Sequence, residues 1–293
     1  MKLARDWHCS RGNWGFVMRN IVKTTCMAAV GILGLALATS SAQAATINLS
    51  ATVRDFCGWG FSGCPAGYAA NPDFENAIAD DHGIVKTTLG ADGTPDYAGG
   101  AHGTLFGSES GYGTQTTAQY FSQWYHDTPG FNQSTTINLA LNDIGGGIYE
   151  YSNSSFFPID GQLLGNQGQG NNFAFTAQLS TAFTYAAGQT FSFTGDDDVW
   201  VFINNQLVID LGGVHGAEGA SVALDTLGLT VGNDYNLDFF FAERHTSQSN
   251  MKIDTSIVLR DTTTDVPEPV TLSVFGAGIA GAIAMRRRKK KLA

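Results

Sequence analysis

Basic residues are nearly missing from the middle of this chain. Residues 45–269 hold 5 Lys and Arg against 25 Asp and Glu, a net of −20, while the rest of the 16 basic residues crowd the two ends. So acidic a body repels nucleic acid and anionic membrane surfaces, which excludes a nucleic-acid role and suits a host for divalent cations. Catalytic signatures are missing too: there is no Gly-x-Ser-x-Gly elbow, no HExxH and no phosphate loop. No long amphipathic helix and no internal repeat shows in the pattern. Cysteine is scarce, with 4 in 293 residues, and two of these, Cys9 and Cys26, lie before residue 45.

Apolar matter, by contrast, is plentiful. The sequence is 43% hydrophobic, with 19 Phe and 36 Gly, enough to build the core of one large domain or two small ones. From Met18, Arg19 and Lys23 form a basic start, Met27 to Ala38 an apolar run, and Ala42-Gln43-Ala44 a small-residue cleavage site. That order predicts a signal peptide over 1–44, with the mature start near Ala45. Met18 begins a leader of ordinary length, so residues 1–17 read as an upstream extension. In an exported chain the remaining pair, Cys57 and Cys64, reads as one disulfide, because C-x₆-C without ligand-spaced His is a poor zinc site.

The other end has three parts in order. Pro267-Glu268-Pro269 follows a linker at 261–266, Val270 to Met285 carries no charge, and Arg286, Arg287, Arg288 and three Lys follow. The apolar stretch predicts a transmembrane helix held at its cytoplasmic end by the cations. Over 267–291 the sequence resembles the PEP-CTERM sorting signal. The resemblance implies an exosortase as partner, transient residence in the inner membrane of a Gram-negative bacterium, and release to the cell surface or extracellular matrix.

Between these ends, residues 45–260 read as an all-β domain. Alternating or continuous apolar runs predict strands at 47–53, 135–141, 149–151, 173–185, 190–194, 199–203, 207–211, 221–224, 235–242 and 251–259. Gly- and Asn-rich turns between them point to an antiparallel β-sandwich or barrel with long loops. Residues 58–113 predict long loops with short helical pieces, and 116–127 a short amphipathic helix. Asn204-Asn205 predicts a hairpin turn, since Asn tolerates the left-handed region.

Amid these strands lies Gly195-Asp196-Asp197-Asp198, followed by the strand from Val199. Adjacent carboxylates repel one another. Either they form a solvated acidic turn, or a hard cation ligated by oxygens holds them together, and Ca²⁺ accepts such a donor set.

Several phrases together carry a second resemblance: Arg54-Asp55-Phe56, PDFE at 72–75, FSQWYHD at 121–127, FFPIDG at 156–161, the stretch 195–215, and FFFAERH at 239–245. They resemble the fibro-slime family across nearly all of the body. Its C-terminal half looks like a divergent relative of the protective-antigen-type β-barrel. The resemblance implies that Asp196 and Asp197, joined by a cis peptide, bind Ca²⁺ that in turn binds sugar hydroxyls. Asp198 stands where that superfamily has Gly, and is added to the metal set as a further donor.

Around the acids, His215, Glu243 and His245 are candidate ligand-binding residues, with Asp210 on the same rim. The alternative is that Arg244 pairs a carboxylate while each His is satisfied locally. Trp124, Tyr125 and Trp200 could stack on sugar rings or pack in the core. Asp198 with Glu243 could be imagined as a glycosidase pair, but nothing fixes their spacing. The expectation is a non-enzymatic, exported surface or matrix protein that binds exopolysaccharide with Ca²⁺. A purely structural slime component and a polysaccharide hydrolase are the alternatives.

Overall fold

The computed structural model describes residues 45–75, 79–99 and 116–263. The signal peptide and the sorting-signal residues Pro267, Glu268, Pro269, Arg286, Arg287 and Arg288 lie outside the described residues. Among those described, no helix is long and apolar enough to cross a membrane.

The fold is all-β and, apart from one short parallel pair, antiparallel. Its long strands are β1 (Thr46–Gly58), β4 (Asn132–Asp143), β5 (Tyr149–Asn153), β6 (Phe175–Thr184), β7 (Thr190–Asp196), β8 (Asp198–Ile203), β9 (Gln206–Leu211), β11 (Glu218–Ala223), β12 (Asp234–Glu243) and β13 (Asn250–Thr255). They run in the order β11-β7-β13-β5-β4-β1-β6-β12-β8-β9. The end strands β9 and β11 approach each other, so the sheet rolls nearly shut. Two-residue β2 (Ala70–Asn71) pairs parallel to β1, and β3 (Ala79–Asp80) pairs with β10 (Gly213–Val214).

Two hydrophobic layers explain why some strands alternate and others do not. Inside the barrel, Val199, Val201 and Ile203 of β8 meet Leu237, Phe239 and Phe241 of β12. The intervening residues, Trp200, Phe202, Phe240 and Ala242, point outward into a second cluster with Phe56, Phe74, Phe121, Trp124 and Tyr125. The described parts of 56–125 (56–75, 79–99 and 116–125) therefore lay a cover over the outer face of β8 and β12. A strand buried on both faces has no polar side to show, hence the unbroken apolar runs. Each such large side chain contributes about 1.5–3 kcal/mol relative to leaving it in water.

The same cover corrects the aromatic candidates. Trp124, Tyr125 and Trp200 are all buried, so none offers a ring to a ligand. The predicted helix shrinks to one turn, α1 (Ala118–Phe121), capped by the Thr117 hydroxyl. Beyond it, turns carry Trp124 and Tyr125 down onto Trp200 and Phe240. At the β8–β9 hairpin, Asn204 and Asn205 both have positive φ (52° and 62°), as a type I′ turn requires.

Asp55 fastens a second loop at the end of β1. Its carboxylate accepts from Leu164 N at 2.8 Å and Asn172 Nδ2 at 2.9 Å, which ties the loop before β6 to the barrel. Burial pushes its pKa up to about 7, against the opposing effect of those two donors. The folded state thus keeps a proton that the unfolded chain releases. The matching stability is full below about pH 4 and is lost as pH rises through 7, up to about 4 kcal/mol. Urea denaturation at pH 4.5 and 7.5 should show this fall, and Asp55→Asn should flatten it. Part of the slope should persist, because burial also raises Asp73 to about 7.

Candidate functional site: an acidic tip

Strand register gathers the acids at one pole of the barrel. Ala242 pairs with Asp198, Glu243 with Phe175, and Asn250 with Asp196. The end of β12, the β7–β8 junction and the start of β13 therefore share that pole. The loop after β9 reaches the same place, because the backbone N–H groups of Gly213 and His215 donate to Asp198 and Asp197.

The three adjacent aspartates do three different things. Asp196 is clasped by one residue: its Oδ1 accepts from Asn250 N and its Oδ2 from Asn250 Nδ2 at 2.8 Å. Asp197 accepts from His215 N at 3.2 Å on Oδ1 and from Arg244 N at 2.9 Å on Oδ2. The Asp196–Asp197 peptide is cis. Asp198 turns inward, where the Arg244 guanidinium grips both its oxygens through Nε and Nη2, and Gly213 N donates to Oδ1 at 2.7 Å.

Arg244 is itself fully buried. Nη1 donates to Thr116 Oγ1 at 2.9 Å, and the guanidinium carbon lies 4.8 Å from the Trp124 ring centroid. Burial alone would disfavour its charge, but Asp198 outweighs burial and its pKa moves upward. Asp198 thus belongs to an internal ion pair, and its lone pairs face Arg244. That also separates it from Glu243 as a glycosidase pair, since Asp198 is wholly buried with both oxygens bound and presents neither to a substrate.

Glu243 sits beneath the tip. Its Oε2 is buried and has no hydrogen-bond partner, and its Oε1 accepts from His245 N at 3.4 Å. Burial, then Asp197, push its pKa well above the usual carboxylate range. Asp197 is raised to about 7, by burial first and then by Asp198. His215 works against this excess of negative charge. Its ring nitrogens face two carbonyls, Gly216 O at 2.9 Å and Leu211 O at 3.3 Å, an arrangement that only the doubly protonated ring satisfies. Burial opposes that charge, but the Gly216 carbonyl with Asp198 and Asp197 outweighs it, and the pKa of His215 moves upward.

An opening of about 70 Å³ lies beside Asp197, walled by Val214, His215, Gly216, His245, Ser247 and Gln248. It joins Asp197, His215 and His245, three of the residues singled out from sequence. Asp196 and Glu243 are not among the residues that line it. His245 Nδ1 lies 3.4 Å from Glu75 Oε1. Asp210 leaves the rim: it accepts from Trp200 Nε1 at 2.9 Å and Gly83 N at 2.7 Å and fastens the cover instead. Asn250, Glu75 and Gln248 were not singled out. Only Asn250 had a signal, its register opposite Asp196, and that requires knowing the pairing of β7 with β13. Cys57 and Cys64 are joined as a disulfide at the same pole.

Among the described residues, no three His, Cys, Asp or Glu side chains group so as to hold a metal ion. An ion here would therefore take at most two carboxylates and fill its shell from amide and carbonyl oxygens and water. Asp196 and Asp197 keep spare lone pairs for that, since each oxygen accepts one hydrogen bond and has two lone pairs. The buried Oε2 of Glu243 has no hydrogen-bond partner. The all-oxygen donor set fits Ca²⁺.

Comparison with known proteins finds two matching family models. Residues 158–270 match the PA14 domain, and residues 265–289 match the PEP-CTERM protein-sorting motif. The latter is by its description a protein-sorting motif. Among curated proteins the chain is similar to psiC of Dictyostelium discoideum (39% identical over 229 residues, 73% of this chain and 42% of that protein). It is also similar to psiR (42% over 207 residues, 65% and 20%) and psiI (47% over 160 residues, 49% and 22%) of the same organism. The chain thus spans less than half the length of these relatives. Solved structures with similarity include a PA14 sugar-binding domain from an RTX adhesin (14% identity, 73% of this chain and 91% of that one, TM-score 0.29). The PA14 domain of an antifreeze protein, MpAFP, is another (13%, 42% and 81%, TM-score 0.28).

Proposed function

We propose that this is an exported, non-enzymatic surface or matrix protein whose acidic tip binds carbohydrate with the help of Ca²⁺. The observation that carries the reading is Asp197, a buried carboxylate that borders an open recess beside Asp196, above the unpartnered oxygen of Glu243. If all ionise, the carboxylates of Asp196, Asp197, Asp198 and Glu243 outnumber the cations Arg244 and His215 by two. A divalent cation would balance that excess. Asp196 and Asp197 would hold it, and it would supply a Lewis-acidic point for sugar hydroxyls. The sugar-binding PA14 domain of the RTX adhesin supports carbohydrate as the ligand class, and the sorting motif supports delivery to a surface or matrix. The same proposal includes the fibro-slime resemblance, a Gram-negative host, and transient anchoring in its inner membrane by the apolar stretch 270–285.

The test is a glycan screen of the full protein in Ca²⁺ and again in chelator. Binding that chelator abolishes is the expected result. Concentration-dependent self-assembly with no glycan binding would favour a structural slime component instead. Released reducing ends would revive the hydrolase.

A further inference from the structure

The Cys57–Cys64 loop divides its two aromatic residues. Phe61 turns inward: its ring lies against the Gly58 backbone, where a Cβ would come within 2.5 Å of it, and it packs on the second hydrophobic cluster. Trp59 turns outward and is 54% exposed, whereas Trp124 and Trp200 are wholly buried. Gly60, at φ 79°, supplies the left-handed residue between them.

The exposed ring sits on a rigid mount. The disulfide closes the loop, Trp59 N donates to Phe74 O at 3.0 Å, and Gln167 bridges Gly58 N and Phe56 O. The mount is also joined to the acidic tip. Glu75, next to Phe74, donates its N–H to Arg244 O, its carboxylate accepts from Thr246 N at 3.1 Å, and Arg244 N in turn bonds Asp197. Register agrees, because Asp55 near the end of β1 pairs with Phe175, which also pairs with Glu243.

We propose that Trp59 is a second sugar-contacting surface at this pole, stacking on a pyranose ring of the same polysaccharide chain that meets the acidic tip. The inference rests on the carbohydrate reading above and adds that the ligand is a chain rather than a single sugar. A flat ring with a negative face suits the C–H face of a pyranose, and burying it returns apolar area to a dry contact. Two contacts on one chain make the second binding event intramolecular, which raises affinity for polymer without changing affinity for monomer.

The probes are galactomannan, dextran and xylan with their constituent monosaccharides, measured by isothermal titration against the full protein in Ca²⁺. Trp59→Ala should weaken binding to the preferred polymer about tenfold and leave the monosaccharide affinity and the Ca²⁺-dependent melting point unchanged. Trp59→Phe should keep most of the polymer affinity. If Trp59→Ala binds polymer as tightly as the wild type, the proposal falls while the acidic-tip reading stands. Equal loss of monosaccharide binding would also overturn it, by making Trp59 part of the primary contact. If the wild type binds none of these sugars, both readings fail together.

Discussion

Replacing Arg244 by Met should cost about 3–5 kcal/mol of folding free energy, because it leaves the buried Asp198 carboxylate without its partner. The loss goes beyond one ion pair. Arg244 also holds Thr116 and the Trp124 face, so the cover over β8 and β12 would loosen where it meets the acidic tip. Urea denaturation measures the effect. The double variant Arg244→Met with Asp198→Asn should recover a clear part of it, since removing both charges leaves nothing buried and unpaired. Equal cost in the single and double variants would show that the pair itself is not what Arg244 contributes.

Asp197→Asn should behave in the opposite way. In chelator its effect should be small: one accepted hydrogen bond is lost, about 1 kcal/mol, while a buried acid beside Asp198 and Glu243 is removed. In Ca²⁺ the variant should forfeit the whole gain shown by the wild type. At a hundred times the dissociation constant that gain is about 2.7 kcal/mol. For a domain of this size it corresponds to roughly 5–10 °C in melting temperature. Thermal melts of both proteins, with and without Ca²⁺, separate a ligand role for Asp197 from a structural one.

Much of the barrel was legible because its strands repeat every second residue. Thr190 to Phe193 alternates and becomes β7; Val199 to Ile203 runs unbroken and becomes β8 between two apolar layers. Alternation predicts a first strand at 47–53 that leads into Arg54-Asp55-Phe56, and the strand in fact continues to Gly58. Those charges are tolerated there because Asp127 and Gln178 receive Arg54, while Leu164 and Asn172 donate to Asp55. All four partners lie far along the chain, so no local pattern announces them.

The acidic tip was visible as a place and not as an arrangement. Three identical aspartates in a row carry no mark that Asp198 faces Arg244, 46 positions away, while Asp196 faces Asn250. Only the pairing of β8 with β12 and of β7 with β13 assigns them. Trp124 and Trp200 mislead in the same manner, since a solvent-facing stack and a buried one read alike until the cover over β8 and β12 is seen.

Everything proposed for this pole depends on an oxygen-lined cation site formed by Asp196 and Asp197. Isothermal titration of Ca²⁺ into the chelator-stripped full protein at neutral pH tests it most directly. One ion per chain should bind, and Asp197→Asn should abolish the heat. A wild-type protein that takes up no Ca²⁺ at millimolar concentration, or a variant that binds it equally well, would contradict the assignment.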